Sequence, residues 1–262
     1  MWFPLACVLL ALLAWCSWGL TGPAIAQDAA RGAEAEITLS DAAPRPSLRR
    51  ARVVSFGLYG PERVFAREAS GAAQALRVWL GAEARPLVRF NTRQGGGVTP
   101  RTLAASLRAV GSEMDSNKDV LVLFLTSHGS PAGLDIVAGS RTSILTPPAL
   151  RDMLDASGAK YRVVIISACY SGVFVPVLAN PRTLVITAAA ADRSSFGCED
   201  RATWTYFGEA FFNQALKRAS TLEAAFSEAR QIVTARELHE GFQPSNPQMA
   251  GGAEVLTFFP HR

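Results

Sequence analysis

Leu121–Gly129 reads LVLFLTSHG, and Arg162–Gly172 reads RVVIISACYSG. The two stretches share one layout: a continuous apolar run, small polar residues, then a reactive side chain with a glycine close behind. Runs this short and this rich in Val, Ile and Leu predict strands buried on both faces, as in a parallel sheet covered by helices. In such sheets functional groups gather at the carboxyl ends of the strands. His128 and Cys169 hold that place in their two stretches. If the strands are neighbours, an imidazole and a thiol meet at one edge of the sheet, as a cysteine nucleophile and its base require.

Upstream, Arg52–Leu58 (RVVSFGL) reads as a first strand and Tyr59-Gly60-Pro61 as a turn. Glu62–Leu80 then reads as a helix, with Val64, Phe65, Ala69, Ala72, Ala73, Leu76 and Leu80 near helical spacing and Gly81 as its stop. Pro86–Phe90 predicts a second strand. Asn91–Thr99, which contains Gly95-Gly96-Gly97, reads as a flexible loop; the Lys and Ser/Thr of a phosphate cradle are missing. Thr99-Pro100 opens a helix to about Met114. Asp115–Asp119 is a polar turn without the spaced ligands of a calcium loop. Between the two organising strands lie a small hairpin around Leu134-Asp135-Ile136 and a helix from Thr146-Pro147-Pro148 to Ala156, stopped by Gly158.

Beyond Cys169 the expected elements are a short helix or turn at Gly172–Leu178, a strand at Thr183–Ala188 and a polar loop at Asp192–Arg201. Helices follow at Trp204–Lys217 and Leu222–Glu237, then a loop at Gly241–Gly252 and a last strand at Val255–Phe258. Strands alternating with helices predict an α/β fold with a mostly parallel sheet. No repeat or internal linker interrupts this order, so residues 51–262 are expected to form one domain.

Hydrophobic residues make up 49% of the 262 and charged residues 18%, a globular composition. The net charge is +4, but Arg is scattered and forms no basic stripe, so nucleic acid is not an expected partner. Trp2–Leu20 is apolar or small throughout, Thr21-Gly22-Pro23 breaks the run, and Ala24-Ile25-Ala26 is an A-x-A site. Residues 1–26 therefore read as a signal peptide, with Gln27 first in an exported, periplasmic or secreted chain. No Lys or Arg precedes the run, which is nearly long enough to span a bilayer; a retained segment would make the protein membrane-anchored. Residues 27–50, rich in Ala, Pro and charge, read as a mobile leader.

Cys7 and Cys16 lie in the targeting segment, leaving Cys169 and Cys198. Two cysteines are not a disulfide framework, and both readings stand: a Cys169–Cys198 bridge, which export permits, or a free reactive Cys169. Ala168 and Ser171-Gly172 leave room around the Cys169 sulfur, and Gly129 lets backbone approach a substrate closely. The backbone amides of Gly129 and Cys169 are then candidates for an oxyanion hole. The other histidines, His239 and His261, follow a predicted helix and abut the C-terminus. A metal site built from His128, Cys169 and Cys198 would lack any close ligand pair, so no metal or cofactor is expected.

Thr126-Ser127-His128-Gly129-Ser130 and Ser167-Ala168-Cys169-Tyr170-Ser171-Gly172 resemble the two catalytic motifs of legumain-like peptidases, family C13 of the caspase-fold clan. Ile186–Cys198 resembles the strand and specificity loop that follow in that family, and the likeness spans most of Arg52 to about Glu237. The resemblance implies a caspase-like three-layer α/β fold, with a mostly parallel central sheet flanked by helices. It also implies a cysteine endopeptidase acting on peptide or protein substrates through a His–Cys dyad. Cys169 would be the nucleophile, His128 its proton partner and Gly129 an oxyanion donor. The family cuts peptide bonds, most familiarly after Asn; a relative, GPI transamidase, passes the acyl group to an amine, so transamidation shares the implied acyl-enzyme. Ser194, Ser195 and Phe196 match a Ser-Ser-aromatic stretch beside the family's pocket, and Ser195, Ser194, Arg63 and Asp200 are the substrate-binding candidates. One departure stands out. The family carries Glu two residues before the nucleophile, where this chain has Ser167. The alternative is a catalytically silent binding protein on the same fold, against which the intact His128/Cys169 pair argues.

Overall fold

β4 (Val120–Thr126) and β8 (Tyr161–Ser167) are adjacent and parallel, paired from Val120 opposite Tyr161 to Thr126 opposite Ser167. They form the middle of a seven-stranded sheet in the computed structural model, which describes residues 50–81 and 85–259. The expected signal peptide, nearly all of the leader, and His261 lie outside the described residues. The described residues belong to one compact unit, 45–262.

β1 (Ala51–Gly57), β2 (Leu87–Thr92) and β9 (Thr183–Thr187) complete the parallel part of the sheet. The strand order is β10-β9-β8-β4-β1-β2-β3, with antiparallel edge strands β3 (Gly95–Gly96) and β10 (Gln248–Gly251). Both faces are apolar because each central strand alternates its hydrophobic side chains between two cores. Val122 and Phe124 of β4 and Val163 and Ile165 of β8 join Leu76 of α1 (Arg63–Leu80), with Phe211, Phe212 and Val233. Leu121, Leu123 and Leu125, with Val164 and Ile166, join Leu103 and Leu107 of α2 (Pro100–Ser112) and Leu150 and Leu154 of α3 (Pro147–Ala156). The result is the expected three-layer α/β architecture.

Caps follow the sequence closely. Thr99 accepts from the Thr102 N–H, and the Thr102 side chain accepts from the Thr99 N–H, closing a capping box in front of Pro100. Gly81 ends α1 in the left-handed region at φ 60°. The small hairpin after β4 is a three-stranded antiparallel sheet of β5 (Gly129–Ser130), β6 (Gly133–Ala138) and β7 (Arg141–Leu145). A short 3₁₀ turn (Ser171–Phe174) and α4 (Val175–Leu178) follow β8.

Four expectations change. The glycine-rich segment 91–99 is not a free loop: β2 extends to Thr92 and folds back on Gly95–Gly96. Buried Asn91 pins it by donating to the Leu58 and Val98 carbonyls and accepting from the Val98 N–H. The helix expected over Trp204–Lys217 is α5 (Tyr206–Gly208), a π-helical stretch (Glu209–Ala215) and α6 (Leu216–Arg218). Segment 241–252 contains an edge strand, β10, where Pro247 stands just outside the ladder and so removes none of its hydrogen bonds. Val255–Phe258 is not a strand, since β10 already occupies that edge; Leu256–Phe258 forms a 3₁₀ turn, and Phe258 meets Tyr161 edge-on at 4.4 Å. The last long helix, α7 (Leu222–His239), is where the periodicity places it.

Candidate active site

Because Thr126 is opposite Ser167, His128 and Cys169 are each the second residue past a paired strand end. Parallel pairing brings both to the carboxyl edge of the sheet. Just after the thiol the chain turns hard. Tyr170 sits at φ 55°, ψ 14°, a left-handed conformation rare for a bulky residue. Its N–H donates to the Arg193 carbonyl at 2.8 Å, holding the turn against the following loop. Strain of this kind is concentrated at functional sites.

Gly129 shows why a glycine must follow the histidine. A Cβ there would lie 2.2 Å from the Cys169 carbonyl oxygen, so the two backbones are pressed together and no side chain fits. Gly129 is opposite Leu134 in a pair whose bonds run through flanking residues, Asp135 N–H to the His128 carbonyl at 3.0 Å. The Gly129 N–H therefore lies outside the β5–β6 ladder.

His128 Nε2 is 3.0 Å from Glu62 Oε2. Its ring meets Tyr59 edge-on at 4.5 Å and Phe65 at 5.1 Å. Among the described residues no hydrogen bond joins His128 to Cys169. The sulfur instead engages Ser195: it accepts from the Ser195 N–H at 3.2 Å and donates to the Ser195 carbonyl at 3.3 Å. Ser195 Oγ is 3.7 Å from the same sulfur. Catalytic hydrogen bonds are often loose until substrate arrives.

Of the pocket candidates, Ser195 thus touches the thiol, while Ser194 is exposed beside it. The loop carrying both is braced by Phe196, which stacks on Phe242 at 4.2 Å and accepts from the Tyr206 N–H through its carbonyl. Arg63 and Asp200, 137 positions apart, are joined: the Arg63 N–H donates to Asp200 Oδ1 at 2.8 Å and its guanidinium to Oδ2 at 3.2 Å. These two bonds hold the Asp200 carboxyl below its ordinary range. Arg67 ties down the same segment through the carbonyls of Asp200 and Ala202.

Two residues were missed from sequence. In the sequence Glu62 stands only at the start of a helix. Glu68 is fully buried on α1, and its carboxyl accepts from Thr126 Oγ1, from Thr205 Oγ1 at 2.6 Å and from Ser167 Oγ at 3.4 Å. Burial pushes its pKa up to about 7 against the opposing pull of those hydrogen bonds. A carboxyl thus reaches Ser167 from α1. A Glu among Phe65, Ala69, Ala72 and Leu76 on an apolar helix face was the available signal.

Cys169 and Cys198 are both free thiols. Burial, and next the neighbouring Cys169, push the Cys198 thiol far above its ordinary range, which leaves it a poor nucleophile. No group of three or more His, Cys, Asp and Glu placed to hold a metal occurs among the described residues.

Residues 98–253 match the family model described as the peptidase C13 family. Among solved structures, the crystal structure of caspase-1 from Spodoptera frugiperda is similar, with a TM-score of 0.54 at 14% identity over 78% of this chain and 87% of that one. At that identity the likeness is one of fold. No curated protein matches the chain.

Proposed function

The chain belongs to the peptidase C13 family and is a cysteine peptidase, and we propose that it cuts peptide or protein substrates through a dyad of Cys169 and His128. The observation that carries this reading is the β4–β8 register, which sets both residues at equal height on one sheet edge.

In this reading the Cys169 sulfur attacks the scissile carbonyl and forms the S–C bond while its proton passes to His128. The amides of Gly129 and Cys169 stabilise the oxyanion. The close backbone approach at Gly129 supports that role. The C–N bond then breaks, and His128 returns the proton to the leaving amine. Water attacks the thioester, gives a proton to His128, and releases the acid and the thiol. An amine in place of water gives transamidation by the same route. In this reading Ser195, in contact with the sulfur, and the exposed Ser194 next to it meet the substrate. The Arg63–Asp200 pair sets a donor and an acceptor side by side, which suits a polar side chain next to the cut.

The leader sequence supports action after export, in the periplasm or outside the cell. Among the described residues no helix is long and apolar enough to cross a membrane. The test is peptide-library cleavage by the mature protein and its Cys169→Ala and His128→Ala variants, with folding checked by circular dichroism. Cys169→Ala should be inactive, and His128→Ala should lose at least about a hundredfold. An added peptide amine should appear in product if transamidation occurs. Full cleavage by folded Cys169→Ala protein would end this reading.

A further inference from the structure

We propose a second ligand site, separate from the carboxyl edge of the sheet: a groove between β1, β2 and α2 that binds a small soluble dianion of the phosphate class through Arg52, Arg85, Arg89 and Ser106.

The backbone gathers these residues from separate segments. β1 and β2 run parallel, with Val54 opposite Leu87 and Phe56 opposite Arg89. Side chains two residues apart on a strand share a face. Arg52 therefore shares a face with Val54 and Phe56, and Arg89 shares one with Leu87. Val54, Phe56 and Leu87 belong to the core that α2 covers through Leu103 and Leu107. The two arginines flank that core on its α2 side. Arg85, just before β2, joins them, and the α2 segment adds Ser106 and Glu113. These residues line a pocket of about 280 Å³. His128 and Cys169, by contrast, follow the carboxyl ends of their strands.

The polar groups of the groove are underused. Arg52 Nε is buried without a hydrogen-bond partner, while Nη2 of the same guanidinium meets Glu113 Oε2 at 3.3 Å. A buried donor left unpaired is costly, and such groups are rare enough to need a cause. Ser106 is only 7% exposed, yet its hydroxyl makes no hydrogen bond among the described residues. Arg85 and Arg89 have neither a hydrogen-bond nor an ion-pair partner among those residues.

The charge is one-sided as well. Three guanidiniums face one carboxylate in this pocket. The excess of two positive charges is matched by a dianion. A phosphate monoester carries about −1.5 to −2 near pH 7 and offers three acceptor oxygens. Guanidinium forks engage such oxygens in pairs, and the Ser106 hydroxyl can donate to another. A monocarboxylate would leave one positive charge unmatched. Glu113 is the exposed member of its pair, 66% against 25% for Arg52. An arriving phosphate displaces it and takes over the Arg52 fork.

The test is isothermal titration calorimetry of the mature protein with inorganic phosphate, at ionic strength held constant with sodium chloride. The wild type should bind one phosphate saturably, with a Kd of about 1 mM or tighter. Arg89→Ala and Arg52→Gln should each weaken binding at least about tenfold, and Ser106→Ala severalfold. Glu113→Gln should tighten it severalfold, because the competing carboxylate is gone. Acetate should bind at least about tenfold more weakly than phosphate. Arg89→Ala should cleave peptide at the wild-type rate and Cys169→Ala should still bind phosphate, so this site and the peptidase reading fail separately. Circular dichroism checks each fold. Absence of saturable binding in the wild type, or unchanged binding in folded Arg89→Ala, overturns the proposal. Co-sedimentation with phosphatidylcholine vesicles containing phosphatidic acid separates a membrane headgroup from a solute. Vesicle binding that is lost in Arg89→Ala, with no response to free phosphate, would overturn the soluble ligand.

Discussion

Glu68 shows how one buried group ties the carboxyl edge of the sheet to acidity. Its carboxyl sits against the last residues of β4 and β8, Thr126 and Ser167, and against Thr205, just before α5. Gly208 makes room for it, since a Cβ there would lie 1.9 Å from Glu68 Oε1. Burial raises its pKa from 4.5 to about 7. Between those values the unfolded chain has released this proton while the folded chain keeps it, so the unfolded state binds fewer protons and stability falls as pH rises. The contribution is complete below pH 4.5 and lost above about 7, a change of about 3 kcal/mol. Glu68→Gln has no such titration. Urea unfolding at pH 5 and pH 8 should show the wild type losing stability relative to Glu68→Gln by a few kcal/mol; parallel behaviour of the two proteins would remove this account of Glu68. Position 68 was readable as a polar residue on an apolar face, but its partners come from three distant segments, and only tertiary structure assembles them.

At the scale of elements, legibility followed periodicity. β4 and β8 were readable to the residue because a run buried on both faces is apolar throughout, and polar residues mark its end. α2 and α3 were readable through Thr-Pro starts. β3 and β10 were not: Gly95–Gly96 and Gln248–Gly251 carry no β-forming signal, and both are strands only because a neighbour supplies the ladder. The π-helical stretch Glu209–Ala215 leaves the same apolar periodicity as an ordinary helix. In the candidate site, the placement of His128, Gly129 and Cys169 at one sheet edge was legible from motif position, whereas the contact of Ser195 with the sulfur depends on how the loop folds back. That loop leans on the Phe196–Phe242 stack. Phe242→Ala should cost about 1 kcal/mol of stability. It should also raise KM for a library peptide severalfold while kcat changes less, because the loop loses its brace while His128 and Cys169 keep theirs in β4 and β8. Steady-state kinetics would decide, and an unchanged KM would show that the loop holds its place without Phe242.

For the whole molecule, the parallel sheet gathers groups from four segments at one edge: β4 ends near His128, β8 near Cys169, the Ser195 loop follows β9, and the turn after β1 brings Glu62. We propose, from the A-x-A site at Ala24-Ile25-Ala26, that the exported chain begins at Gln27. N-terminal sequencing of exported protein should begin there, and Met1 retained in a membrane fraction would instead indicate an anchor. The central claim is that Cys169 is a nucleophile activated by His128. The most direct measurement is to treat mature protein with an electrophilic peptide and locate the adduct by mass spectrometry, alongside His128→Ala and Cys198→Ala. The account predicts one adduct, on Cys169, greatly slowed in His128→Ala and preserved in Cys198→Ala. An adduct on Cys198, or Cys169 labelling at the same rate without His128, would contradict it.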